Sequence, residues 1–284
     1  MTVNPNQARE VSKLESFNHF IKGSDKMFNE GNFSKALEFI DSAIRKAPDV
    51  TKEYESYIKK INILVENGSP LSNVEIVIDC AKILLEKCSP EYVAFAGFEV
   101  LRLEIVIITK TAGYFLEDGE PKFALKEAQK ALDALAAQPH NRSRCAKEEI
   151  LLLQKLTEIR LSFRDKDSFA QALLNISISG EIIRGLNIDV HTFAKNHLLL
   201  GECHFKRGYQ KIAIDDFLLA KSMLEGEETL DTLNSLVWSM RCSKIYRIRF
   251  FAKALALAGK VDPHQRKKII VLFLAGNYLY QRIQ

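Results

Sequence analysis

Long apolar runs are missing from this chain. No stretch approaches the ~18 residues needed to cross a bilayer, and the longest, IIVLFLAG at 269–276, is far shorter. The N-terminal MTVNPNQAREVSKLESF has no apolar core of the kind a secretion signal needs. Cytoplasmic or nuclear residence is therefore expected. Cysteine is scarce and scattered: Cys80, Cys88, Cys145, Cys203 and Cys242, never as C-x-x-C. An odd, dispersed set excludes a disulfide framework and a zinc module, and reads as single buried thiols in a reducing compartment. Seven prolines and 13 glycines in 284 residues are too few for a linker-rich or disordered chain. With 47% hydrophobic residues the chain can bury a sizeable core.

Strand patterning is also absent, with no alternating β-branched runs closed by Asn-Gly turns. What is there has helical period. Segments 32–47, 70–87, 120–136 and 209–224 place apolar residues three and four apart. Breaks fall at Gly31-Asn32, Pro48-Asp49, Asn67 to Pro70, Ser89-Pro90, Asp118-Gly119, Pro139 to Asn141, Asp165 to Asp167, Gly208, Gly226 and Asp262-Pro263. They predict about 12 or 13 helices of roughly 14–25 residues, joined by short loops that force neighbours to pack antiparallel.

Catalytic signatures are lacking too. There is no G-x-S-x-G, no P-loop and no glycine-rich loop between a strand and a helix. The carboxylate pairs Asp215-Asp216 and Glu227-Glu228 read as solvated helix surfaces or starts. The stretch HLLLGECHFKRGY at 197–209 is the one cluster of ligand types, with His197, Glu202, Cys203 and His204. The histidines are seven apart, so they share a face but stand about 10 Å apart along a helix axis. That is too far to grip one ion without help from another helix, and Glu202 and Cys203 point elsewhere on the wheel. No enzyme, no metal site and no cofactor is expected.

The same stretch gains another meaning from self-similarity. Ser24 and Gly201 are small residues in the middle of a helix. Seven residues on come Gly31 and Gly208, then Ala36 and Ala213, then Ile40 and Phe217, then Ala43 and Ala220. A third copy runs Ala112, Gly119, Ala124, Ala128, Ala131. Small residues at helical spacing let two helices approach, a large residue between them fills the hole, and glycine makes the left-handed turn.

This pattern resembles the tetratricopeptide repeat over 17–50, 105–138 and 194–227, with Phe20, Phe33 and Pro48 at further family places. The segment 153–186 matches weakly through Phe163, Phe169 and Ala172, and 52–88 and 228–260 match by helical pattern alone. The resemblance implies an all-α fold: a right-handed superhelix of antiparallel helix pairs, one domain over 1–284 with a disordered tail at 1–10. It makes His197 and His204 substitutes for packing aromatics. It also implies a groove lined by the first helix of each pair, here Asn18, Ile21, Lys22 and Asp25; Val106, Thr109, Lys110 and Gly113; Lys195, Leu198, Leu199 and Glu202. The clamp by which some members hold chaperone C-termini is not reproduced, because Asp25, Leu198 and Glu202 stand at its asparagine and basic places.

Net charge is +4, but it is unevenly spread. Residues 241–284 hold ten basic residues and one acidic, hence +9, against −5 for the first 240. Arg241, Lys244, Arg247, Arg249 and Lys253 interleave with Tyr246, Phe250 and Phe251. Arg266, Lys267 and Lys268 follow a helix start at Asp262-Pro263, where cations oppose the helix dipole. Local helix stability does not explain them, so a surface for something acidic is expected. The helix at 269–280 is apolar nearly all round and is expected to dock on another chain or on a continuation of this one. The function implied is a non-catalytic scaffold or adaptor that binds a partner protein with an acidic, extended or helical segment. Two alternatives stay open: a fixed architectural subunit of a larger complex, like the solenoids of proteasome-lid or chromosome-associated assemblies, and an RNA-associated repeat protein using the basic surface.

Overall fold

A computed structural model describes residues 5–163, 165–224, and positions 234, 235 and 238. Among the described residues the fold is all-α, with ten helices of 14–28 residues. They are α1 (Pro5–Asn29), α2 (Phe33–Lys46), α3 (Val50–Glu66), α4 (Leu71–Leu85), α5 (Pro90–Glu117), α6 (Pro121–Ala137), α8 (Ala146–Ser162), α9 (Lys166–Arg184), α10 (Val190–Lys206) and α11 (Gln210–Met223). A single helical turn, α7 (Pro139–Arg142), and a 3-10 turn at Ser143–Cys145 lead into α8. Apart from positions 234, 235 and 238, the pair expected at 228–260 lies outside the described residues, as do the breaks at Gly226 and Asp262-Pro263 and the apolar helix at 269–280.

The ends of these helices follow from named residues. Asn32, Asp49, Asp165 and Asp189 cap α2, α3, α9 and α10, each accepting from the backbone N–H three residues on. Gly31, Gly68, Gly119 and Gly208 all have φ between 67° and 86°, where a side chain is strained. At each the next residue's N–H reaches back to a carbonyl of the finished helix, as from Asn32 to Met27 at 2.8 Å and from Tyr209 to His204 at 2.8 Å. One boundary differs from expectation. The repeat placed at 105–138 begins inside α5, which runs unbroken from Pro90. Proline fits a helix start, and Ser89 Oγ accepts from the Tyr92 N–H at 3.3 Å.

The chain forms two compact units. Among the described residues, the first comprises those up to Thr111 with Gln129–Glu148, and the second comprises Ala112–Ala128 and those from Glu149 on. In the first, α1 packs on α2, α2 on α3 and α3 on α4. Phe17, Ala36, Ile40, Ala43 and Ile63 form one core cluster. Tyr54, Ile61, Val74, Ile78, Ala81 and neighbours form another, and the Tyr54 hydroxyl donates to the Ala96 carbonyl at 3.0 Å. In the second unit α9 packs on α10 and α10 on α11. Its clusters centre on Leu161, Ala172, Ile176, Leu199 and Cys203, and on Ala194, Leu198, Ala213, Phe217 and Ala220.

One register recurs in every second helix. Ala36-Ile40-Ala43, Val74-Ile78-Ala81, Ala124-Ala128-Ala131, Ala172-Ile176-Ser179 and Ala213-Phe217-Ala220 share the spacing and are all buried. The second and fourth series carry the same register into 52–88, which matched by helical pattern alone, and into 153–186, which matched weakly. Small residues on the first helices make the approach possible. A methyl group added at Gly201 would lie 2.6 Å from the Phe217 ring, and one at Gly23 would lie 2.6 Å from the Phe39 ring. Gly23 is the small residue that the sequence pattern passed over in favour of its neighbour Ser24. Ser24 is buried as well and donates its hydroxyl to the Ala36 carbonyl at 3.1 Å.

Candidate functional site

In the first unit the α1 places that the resemblance assigns to a groove are mostly open to solvent. Asn18, Lys22 and Asp25 are exposed and Ile21 is half-buried. The lower part of α1 and the facing part of α3 flank a cleft of ≈ 540 Å³. Ser24, Asp25 and Phe28 line it from α1; Lys59, Asn62, Ile63 and Glu66 line it from α3. Lys59 Nζ stands 2.6 Å from Asp25 Oδ1, an ion pair between the two helices. Further along the unit, Lys110 is exposed on α5 and Val106 and Thr109 are half-buried. Thr109 turns its hydroxyl back to the Ile105 carbonyl at 2.7 Å.

The corresponding places of the second unit are more closed. Lys195 Nζ lies 2.9 Å from Glu158 Oε1, and Lys155 Nζ lies 2.5 Å from Glu158 Oε2. Burial pulls the Glu158 carboxyl upward, but Lys195 and Lys155 outweigh it and hold the group below the usual carboxylate range. Gly113 is buried, and the end of the Lys155 side chain lies 3.7 Å from where a methyl group on it would stand. Leu198 and Leu199 are each 7% exposed, and both belong to the core clusters described above, so they act in packing. Glu202 is half-buried, 3.9 Å from Lys206 Nζ.

The histidines of HLLLGECHFKRGY meet a partner that sequence reading placed in solvent. His197 Nδ1 is 3.2 Å from Asp216 Oδ1, and His204 Nδ1 is 2.8 Å from Asp216 Oδ2. Asp215 is exposed as expected, but the Asp216 side chain is 12% exposed and faces α10. The correction has a simple geometric reason: two residues adjacent on a helix point about 100° apart, so only one of them can face solvent here. An ionised carboxylate only accepts, so each imidazole donates from Nδ1–H. The carboxylate bridges the two histidines, one on each oxygen. His197 also packs on Phe193, ring centroids 5.2 Å apart, in the manner of the aromatic it replaces. Cys203 is fully buried on another side of α10, against Leu161, Ala172 and Ile176, and burial pushes its thiol up to about 12, out of reach of nucleophilic chemistry near neutrality. Among the described residues no three His, Cys, Asp or Glu side chains converge on a metal position, and no helix is long and apolar enough to cross a membrane.

The basic residues Arg241, Lys244, Arg247, Arg249, Lys253, Arg266, Lys267 and Lys268 lie outside the described residues. What sequence reading missed inside them is the α3 wall of the cleft. Lys59, Asn62 and Glu66 recur at three- and four-residue spacing on one face of α3, with the buried Ile61 and Leu64 on the other. That polar series was a usable signal once α3 was placed beside α1.

A search of solved structures matches a tetratricopeptide repeat protein from Parabacteroides merdae at 16% identity, with a TM-score of 0.41, covering 92% of this chain and 99% of that one. No family model matches the chain, and no curated protein matches it. At that TM-score the fold class rests on the chain's own helix pairs and their shared register.

Proposed function

We propose that the chain is a non-catalytic scaffold that holds a segment of a partner protein against the groove face of its first helices. The observation that carries this reading is the cleft between α1 and α3. It is open, it is lined by the first helices of two successive pairs, and it includes Asp25, a residue the repeat register marks as groove-facing. The exposed Asn18 and Lys22 extend the same face along α1. Concave sites with an apolar floor and a few polar rim groups are the usual form of binding sites. The basic segment from Arg241 to Lys268 is proposed as a second contact for an acidic part of the partner, on charge alone.

A photo-crosslinking amino acid placed at Lys22 or at Asn62 tests the reading in cells, with Glu38 on the exposed side of α2 as control. The expected result is a discrete crosslinked protein from the first two positions and none from Glu38. Equal crosslinking at all three positions, or none at Lys22 and Asn62, would overturn it.

A further inference from the structure

We infer that the α1–α3 cleft takes an extended peptide segment in which a Lys or Arg side chain stands next to an aliphatic one. The inference rests on the scaffold reading and names the chemistry of the ligand at that site. A cleft of ≈ 540 Å³ between two helices admits an extended chain, whereas a helix with side chains is about 10–12 Å across. The floor is apolar. Ile63 is buried in the core cluster of α1 and α2, and Phe28 packs edge-to-face on Phe33 with centroids 5.7 Å apart. An aliphatic side chain is the matching filler.

The rim decides the sign of the ligand's charge. The charge of Lys59 is already matched by Asp25, 2.6 Å away. The Ser24 hydroxyl donates inward, to Ala36. The Asn62 amide nitrogen donates to the Ile58 carbonyl of its own helix at 3.1 Å, which leaves Oδ1 as an acceptor. Glu66 is exposed and has no charged or hydrogen-bonding partner among the described residues. The uncommitted charge on the rim is therefore one carboxylate, with the Asn62 amide oxygen one turn before it on α3 and Asp25 on the same cleft lining. A basic side chain meets acceptors there. An acidic one would face Glu66 and have to break the Lys59–Asp25 pair. The chemistry is opposite to that expected of the basic segment at 241–268, so the two surfaces would recognise different parts of a partner.

A phage-displayed library of random 12-residue peptides, selected on the full chain, gives the test. Binding of selected peptides is then measured by fluorescence polarisation on the wild type, on Glu66→Lys, and on Asn62→Trp, which fills the cleft. Far-UV circular dichroism checks that each variant is folded, and Glu66→Gln serves as a milder second variant. The expected result is enrichment of Lys or Arg beside Leu, Ile or Val. Binding should fall at least tenfold in Glu66→Lys, less in Glu66→Gln, and be lost in Asn62→Trp. A peptide with Glu in place of its basic residue should recover binding to Glu66→Lys. Peptides that Asn62→Trp blocks but that lack basic residues, or ignore Glu66→Lys, would overturn this inference and leave the scaffold reading standing. If Asn62→Trp blocks no selected peptide, both fall at this site.

Discussion

In the α1–α2 pair, Phe20 and Phe39 meet with ring centroids 6.5 Å apart. In the α10–α11 pair the same register positions hold His197 and Asp216, 3.2 Å apart, and His204 takes the place of Met27. An apolar contact and a polar clamp thus occupy one set of places on the same hairpin. The small residue moves with them. In the first pair Gly23 makes room for Phe39, while in the last Gly201, one register position later, makes room for Phe217. What the hairpin requires is one small residue opposite one ring and a complementary pair beside it. It does not require that pair to be aromatic, which is why two histidines can look like ligands and yet serve packing.

Breaking the small-residue contact separates the two hairpins most. Phe217 is fully buried and stacked on Trp238 at 5.6 Å, so its ring cannot swing away. Phe39 is half-buried and can. Overpacking of a fixed core costs ~1–3 kcal/mol, against ~0.5–1 kcal/mol gained from replacing a mid-helix glycine by alanine. Gly201→Ala should therefore lower the urea-unfolding midpoint by an amount equivalent to roughly 1 kcal/mol net, and Gly23→Ala should leave it nearly unchanged. Equal losses at both sites would show that Phe217 is as free to move as Phe39.

The clamp gives an effect of at least similar size within the second hairpin alone. Asp216→Ala leaves two imidazole N–H groups without their acceptor in a mostly buried place, at ~1–3 kcal/mol. Grafting the first pair's residues as His197→Phe, His204→Met and Asp216→Phe together should recover part of that loss, because apolar partners of matching shape replace both ends of each hydrogen bond. A triple variant no better than Asp216→Ala in thermal unfolding would mean that the two registers are not interchangeable.

The smallest effect concerns the helix caps. Asp189 is held below its usual pKa mainly by accepting the Thr192 backbone N–H at 2.9 Å. A carboxyl depressed in the folded state contributes stability above its unfolded pKa and loses it as pH falls through the folded value. Asp189→Ala should cost ~1 kcal/mol at pH 7, and the gap to wild type should close on acidification below the ordinary carboxylate range. The α2 cap is the uncharged Asn32, so Asn32→Ala should show a gap that does not close with pH.

Much of the fold was legible because its signals are local. Left-handed glycines at 31, 119 and 208, caps at Asp49 and Asp165, and the alanine register each depend on residues within a turn or two. The candidate site was half legible. Asp25 could be placed from the α1 register, but Lys59, Asn62 and Glu66 belong to a helix pair whose second helix carries Val74 where the marker copies carry alanine, so its register was blurred. Lys195 read as a groove cation, yet it is engaged by Glu158, thirty-seven positions away in the chain.

By itself, then, the sequence determined an all-helical chain of repeated hairpins with turns at named glycines, since backbone conformation and one-sided burial follow from neighbours along the chain. Only the tertiary structure decided which polar groups are engaged. Asp215 and Asp216 are chemically identical neighbours, and the direction in which α11 faces α10 leaves one in water and puts the other between two histidines. Whether a charge is solvated or partnered depends on what a distant segment brings to within about 3 Å, and that distance exists only after the helices have packed.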